Sequence, residues 1–212
     1  MFEYIFFDYD GTIMDTNEII IFSLNAVAKR YLGRELTDAE LGDNLGLYLD
    51  KQMQRVLPDK WEEAVKYYRK TYESLQEEMV KPFDGAFELL EKLFKQGKNL
   101  GVISAKSRDT LMYALNNFDI NKYFKCVVSS QDIVNNKPHP EPALKAIEFF
   151  KADKNLCVMV GDSPYDILCA KNAGIASCLV KWTIFPDRKF DGVIPDYIAR
   201  TPDEIFDICN RA

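Results

Sequence analysis

Acidic residues stand beside glycine in two short segments of this chain, Asp8-Tyr9-Asp10-Gly11-Thr12 and Gly161-Asp162-Ser163-Pro164-Tyr165-Asp166. Each follows a compact apolar run, residues 4–7 in the first case and 156–160 in the second. In an open parallel sheet, ligands gather at the carboxyl ends of the strands, so Asp8, Asp10 and Asp162 are expected to converge on one end. Carboxylates gathered there repel one another and are costly to desolvate, and a hard cation resolves the conflict. All-oxygen ligation without histidine or cysteine points to Mg2+. A single aspartate of this kind reads equally well as an N-cap or turn former; three at two neighbouring strand ends favour the metal.

A cation and a hydroxyl complete the set. Lys137 sits between Asn136 and Pro138, with further prolines at 140 and 142, so it stands on a stiff segment poor in backbone donors. A lysine held that way serves as a fixed point charge for phosphate; taken alone it reads as a solvated surface side chain. Ser104 ends the apolar run 100–104 and offers its hydroxyl and the following N–H groups to an anion, or acts as a simple strand-end cap. Together these parts suit one reaction: a carboxylate attacks phosphorus to give an aspartyl-phosphate that water then hydrolyses. Attack by one anion on another needs a metal and a lysine to screen it. Asp10, two residues beyond Asp8, is placed to protonate the leaving oxygen and then to deprotonate water.

The elements that must position these residues alternate. Residues 4–7, 100–104, 126–129, 156–160 and 177–180 read as strands buried on both faces, and 86–96, 108–116, 141–151 and 165–173 as helices. Gly97 and Gly174 are C-cap signals. The expectation is an α/β fold, a doubly wound parallel sheet. Residues 15–81 break the rhythm: they hold no strand run and read as helices only, at 17–31, 37–41, 49–57 and 61–79, with Thr37 and Glu40 spaced as a capping box. This divides the chain into a catalytic α/β core domain, residues 1–14 and 82–212, and a helical cap domain, residues 15–81.

Composition narrows the partners. The net charge is −6, from 27 Lys and Arg against 33 Asp and Glu, whereas a general nucleic-acid binder needs a basic excess. No apolar run approaches the roughly 18–20 residues of a membrane span. The five cysteines have no C-x-x-C spacing and sit mostly among apolar neighbours, which reads as buried thiols in a reducing compartment. The N-terminus carries acids where a signal peptide needs bases. The expectation is a cytoplasmic protein, monomer or homodimer, that takes a small phosphorylated substrate and neither nucleic acid nor membrane.

With these motifs in hand, the chain resembles the haloacid dehalogenase superfamily, and within it the phosphoglycolate-phosphatase-like branch. FDYDGT, ISAKS, KPHPEP and GDSPYD occur in the family's order, and the resemblance covers nearly the whole chain. It implies a Rossmann-like core with sheet order 5-4-1-2-3, an inserted helical cap that excludes water, and Mg2+ as cofactor. By the same resemblance Asp8 is the nucleophile and a metal ligand, and Asp10 is the general acid/base with its carbonyl on the metal. Asp162 is the third ligand and Asp166 an acid that ligates or orients the metal. Gly11, Thr12, Ser104, Ala105 and Lys137 are implied as the phosphate-binding positions. The implied activity is Mg2+-dependent hydrolysis of a phosphate monoester.

Several residues depart from the family pattern: Tyr9, usually aliphatic; Ala105, often Asn; Tyr48 in Leu45-Gly46-Leu47-Tyr48-Leu49, often Pro; and Lys181-Trp182-Thr183, more commonly Thr-Trp-Gly. They leave the substrate open. A phosphomutase or an inorganic pyrophosphatase uses the same core, and a receiver-like phosphoacceptor gathers similar residues without turnover. His139, the single histidine, reads as a solvated or phosphate-adjacent side chain, and Lys66, Arg69 and Lys70 as a solvated face interleaved with glutamates. Lys106 and Arg108 stand as phosphate or substrate contacts, and Tyr67, Tyr68 and Phe185 as exposed aromatics.

Overall fold

The computed structural model describes residues 1–211. In chain order the elements are β1 (Tyr4–Phe7), β2 (Met14–Asp15), α1 (Asn17–Leu32), α2 (Asp38–Asn44), α3 (Leu49–Val56), α4 (Trp61–Met79), β3 (Lys81–Pro82), α5 (Ala86–Lys95), β4 (Asn99–Ile103), α6 (Arg108–Asn117), β5 (Phe124–Val128), α7 (Glu141–Phe150), β6 (Cys157–Gly161), α8 (Pro164–Ala173), β7 (Ala176–Val180), β8 (Tyr197–Ala199) and α9 (Pro202–Asn210). The chain divides into two compact units, Met1–Met14 with Pro82–Ala212, and Asp15–Lys81.

The first unit is built on a six-stranded sheet of order β5-β4-β1-β6-β7-β8, parallel at every pairing. Its first five strands reproduce the expected order, with β1 between β4 and β6, the strands that lead into Ser104 and Asp162. The sixth strand, β8, lies outside the expectation, as does α9 behind it. Short strands of Val, Ile, Leu and Phe form because both faces are covered. On one face Phe6, Ile103, Cys126 and Met159 pack with Ala143, Ala146, Cys169 and Ala170 of α7 and α8. The alternate residues Ile5, Phe7, Leu100, Val102, Val158 and Val160 are equally buried on the other face. The helices begin and stop where the sequence signals it: Ser163 and Asp166 form a capping box on α8, and Gly174 ends it at φ 75°.

The second unit holds α1 to α4, with α1 and α3 packed on α4. The Thr37 hydroxyl accepts the Glu40 N–H at 3.3 Å while Glu40 Oε2 accepts the Thr37 N–H at 2.8 Å, completing the expected capping box. Two details correct the sequence reading. Residues 15 and 81 are in strand: β2 and β3 pair as a two-stranded sheet of their own. Tyr68 and Phe185 are buried, at 8% and 9% exposure, and the Tyr68 ring stacks on Tyr72 at 6.2 Å. Helical spacing puts Tyr68 and Tyr72 on the inner face of α4, while Glu62, Glu63, Lys66, Arg69 and Lys70 are exposed.

Among the described residues no helix is long and apolar enough to cross a membrane. All five cysteines are free and buried, and burial pushes Cys126 and Cys157 up to about 11 and Cys169, Cys178 and Cys209 up to about 12. Since the thiolate is the reactive form, the native protein should take up no iodoacetamide in an hour at pH 8, and five equivalents in denaturant. Fast labelling of any thiol in the native state, read by mass spectrometry, would contradict this burial.

Candidate active site

The register explains how distant residues meet. Phe7 pairs with Val102 on one side and Val160 on the other. The next residues, Asp8, Ile103 and Gly161, therefore reach the strand ends together, and the Asp8 N–H donates to the Val160 carbonyl at 2.9 Å. Ser104 and Asp162 follow one residue later. Beyond Asp8 the chain turns back sharply: the Ile13 and Met14 N–H groups both donate to the Tyr9 carbonyl at 3.1 Å, and Gly11 sits at φ 72°.

Gly11 faces Asp162. A Cβ at position 11 would stand 2.3 Å from Asp162 Oδ2, and one at Gly161 would stand 2.4 Å from the Asp166 side chain. Both glycines are there because carboxylates occupy the space that a side chain would need. This gives Gly11 a steric reason beside its expected place near phosphate.

Asp8, Asp162 and Asp166 are all buried, and one carboxylate oxygen of each lies within 4.8 Å of the others. Lys137 bridges two of them: Nζ donates to Asp8 Oδ1 at 2.8 Å, to Asp166 Oδ1 at 2.6 Å and to the Ile103 carbonyl at 3.3 Å. The other Asp166 oxygen accepts the Ser163 N–H at 3.1 Å and its hydroxyl at 2.5 Å, so Asp166 caps α8 and anchors the lysine at once. Lys137 reaches the cluster from a loop pinned at both ends. Glu141 accepts the Val134 and Asn135 N–H groups, each at 2.8 Å, and Asn172 donates to the Pro138 carbonyl at 2.9 Å.

The electrostatics are those of a site short of positive charge. Burial pushes the Asp8 carboxyl up to about 7, and Asp166 and Asp10 add repulsion that Lys137 only partly offsets. Burial also holds Asp162 well above the ordinary carboxylate range, with Asp166 and Asp8 raising it further. Burial alone would lower Lys137, yet Asp166 and Asp8 hold it above its usual range. Three buried hard-oxygen donors within reach of one another fit a divalent cation such as Mg2+.

The remaining candidates are placed as follows. Asp10 lies outside the three-carboxylate cluster, its Oδ1 2.9 Å from Lys106 Nζ. Ser104 is buried, and its hydroxyl accepts the Lys106 N–H at 3.2 Å. Ala105, half-buried, brings only backbone to the site. The Thr12 hydroxyl is 2% exposed and has no hydrogen-bond partner among the described residues. Arg108 is bound to Asp132 and to the Val127 carbonyl, which makes it a strut of the loop after β5. His139 is exposed and its Nδ1 accepts the Glu141 N–H at 3.2 Å. Two contributors had no site role in the sequence reading: Thr183 donates to Asp162 Oδ2 at 3.3 Å, and Trp182 Nε1 donates to the Thr12 carbonyl at 3.2 Å. The signal was their position just past β7, two strands from β1.

A doubly wound parallel sheet with acids and a lysine gathered at adjacent strand ends defines a class of α/β proteins. The model of haloacid dehalogenase-like hydrolases matches residues 5–180, and the chain belongs to that family. It is 37% identical over 193 residues, 91% of this chain and 88% of the relative, to a provisionally named pyrophosphatase PpaX of Caldanaerobacter subterraneus subsp. tengcongensis. It is 34% identical over 207 residues, 96% of this chain and 95% of the relative, to pyrophosphatase PpaX of Halalkalibacterium halodurans. Among solved structures, a haloacid dehalogenase-like family hydrolase from Streptococcus pneumoniae superposes with a TM-score of 0.82 at 25% identity, covering 98% of each chain.

Proposed function

We propose that this chain is a Mg2+-dependent phosphohydrolase that transfers a phosphoryl group to Asp8, and that its substrate is inorganic pyrophosphate. The observation that carries the chemistry is the buried cluster of Asp8, Asp162 and Asp166 tied by Lys137. The substrate follows the names of the relatives. It departs from the phosphate monoester implied by the phosphoglycolate-phosphatase resemblance.

On this reading the Asp8 carboxylate attacks phosphorus as the bond to the leaving oxygen breaks, and Asp10 supplies that oxygen with a proton. Asp10 then takes a proton from water, which attacks the aspartyl-phosphate and returns Asp8 and phosphate. Lys137, the Ser104 hydroxyl, the Thr12 hydroxyl and the backbone N–H of Ala105 hold the phosphoryl oxygens, while Gly11, whose N–H donates to the Met14 carbonyl at 2.9 Å, shapes the turn beside them. Asp8, Asp162 and Asp166, with the Asp10 carbonyl, would hold Mg2+, which when bound supplies charge to offset that of the phosphate. Residues 1–14 and 82–212 are then the catalytic core domain and 15–81 the cap domain.

The test is a panel of pyrophosphate, phosphoglycolate, sugar phosphates and nucleotides assayed with Mg2+ and with EDTA. Pyrophosphate should lead, and EDTA should abolish turnover; a phosphate ester outpacing pyrophosphate returns the substrate assignment to the monoesters. Metal binding is checked separately. At about 100 times its Kd a ligand stabilises the folded state by about 2.7 kcal/mol, which for a chain of this size is a Tm rise of about 5–10 °C. Mg2+ should produce such a rise, EDTA should reverse it and Asp162→Asn should remove most of it. An equal rise in the Asp162→Asn protein would take Asp162 out of the metal site.

A further inference from the structure

Lys106 and one departure from the family pattern, Tyr9, meet beside one carboxylate. Lys106 Nζ lies 2.9 Å from Asp10 Oδ1, and the two side chains are only 11% and 23% exposed. The Tyr9 ring, fully buried in place of an aliphatic side chain, stands 5.9 Å from the same ammonium. That is within cation–π range. The backbone of Lys106 is fixed as well: its N–H donates to the Ser104 hydroxyl at 3.2 Å and its carbonyl accepts the Ser130 N–H at 2.9 Å. A flexible lysine is thereby held, by two side-chain contacts and two backbone hydrogen bonds, beside the group expected to meet the leaving oxygen.

We infer that Lys106 is the specificity-determining residue that receives the second phosphate of a diphosphate substrate. The inference rests on the proposed function and deepens it. Lys137 lies between Asp8 and Asp166, at the phosphoryl group being transferred, whereas Lys106 lies at Asp10, on the leaving-group side. An ammonium carries three donors, enough to bridge the Asp10 carboxylate and a phosphate oxygen. When the leaving group is a phosphate, it takes away charge that a neutral alcohol does not, and a cation fixed at that point favours the diphosphate. As the bond to the bridging oxygen breaks, its electron pair stays with the leaving phosphate, that oxygen takes the proton from Asp10, and Lys106 offsets part of the charge that remains on the leaving group. The new bond at phosphorus is the one to Asp8.

The test compares a two-phosphate probe with a one-phosphate probe. Calorimetric titration of the Mg2+-loaded protein with imidodiphosphate and with inorganic phosphate is made for wild type, Lys106→Met and Lys106→Arg. Lys106→Met should weaken imidodiphosphate binding by about 10- to 100-fold, the range of a lost charged hydrogen bond. Phosphate binding should change less than threefold, and Lys106→Arg should restore part of the loss. In turnover the same variant should raise KM for pyrophosphate more than it lowers kcat. Equal weakening of both probes, or of neither, overturns the inference and assigns Lys106 a structural role. Failure at another level is separable: if wild type hydrolyses phosphate esters through Asp8 but not pyrophosphate, the diphosphate inference falls and the phosphohydrolase stands. If no hydrolysis depends on Asp8, both fall.

Discussion

Asp8→Asn is expected to lower Mg2+-dependent phosphate release by about 10^4-fold or more while leaving the fold intact. Removing the nucleophile of a covalent mechanism eliminates the intermediate itself, and losses of this size are typical. The substitution is nearly isosteric, and an amide oxygen still accepts from Lys137, which keeps its 2.6 Å contact with Asp166. Metal-free stability should even improve at neutral pH. The folded state raises the Asp8 carboxyl to about 7 from an ordinary 3.8, so between about pH 4 and 7 the native protein binds more protons than the unfolded chain. Wild type in EDTA therefore loses stability as pH rises through that window, and the Asp8→Asn protein escapes that share of the loss. Melting curves in EDTA at pH 5 and pH 8 should show the variant gaining on wild type at the higher pH. A variant that retains more than about 1% of the wild-type rate is incompatible with Asp8 as nucleophile.

Asp8 and Asp162 were readable as neighbours because each follows a short, wholly apolar run, and strand ends collect ligands whatever the substrate. The insertion was equally legible: residues 15–81 carry helical spacing and a capping box, both local properties. What stayed hidden depends on partners far away in sequence. β8 is three residues long, with Ile198 43% exposed at the sheet edge, too short to show a periodic signal. It exists through pairing with β7 and through Asp196, whose Oδ2 accepts the Ser177 N–H at 2.9 Å and hydroxyl at 2.6 Å. α9 was legible in principle, since Thr201 caps it and Pro202 stands in its first turn. The link between Lys106 and Asp10 needs β4 beside β1 in a given register, and Thr183 reaches Asp162 only because β7 lies beside β6. Tyr9 stands out in its motif, and its ring lies 5.9 Å from the Lys106 ammonium, a neighbour that the sequence does not show.

The turn after β1 offers a test of how much of the site is held by shape alone. Gly11 and Gly33 have the same φ, 72°, where an alanine is strained by about 1 kcal/mol. A Cβ at Gly33 would meet nothing within 4 Å, whereas at Gly11 that atom would sit 2.3 Å from Asp162 Oδ2 and 2.6 Å from Asp162 Cγ. Backbone strain is therefore common to the two substitutions and the collision is not. Gly33→Ala should lower stability by about 1 kcal/mol and leave turnover unchanged. Gly11→Ala should carry the same strain and also drive the Asp162 carboxylate away, breaking its contact with Thr183. A displacement of about 1 Å in a positioned group costs on the order of 10^2-fold in rate, so Gly11→Ala should lose at least that much activity and weaken Mg2+-dependent stabilisation in parallel. The two proteins are compared by phosphate release and by Tm with and without Mg2+. If Gly11→Ala matches Gly33→Ala in both, Asp162 has moved without consequence and its position does not govern the chemistry.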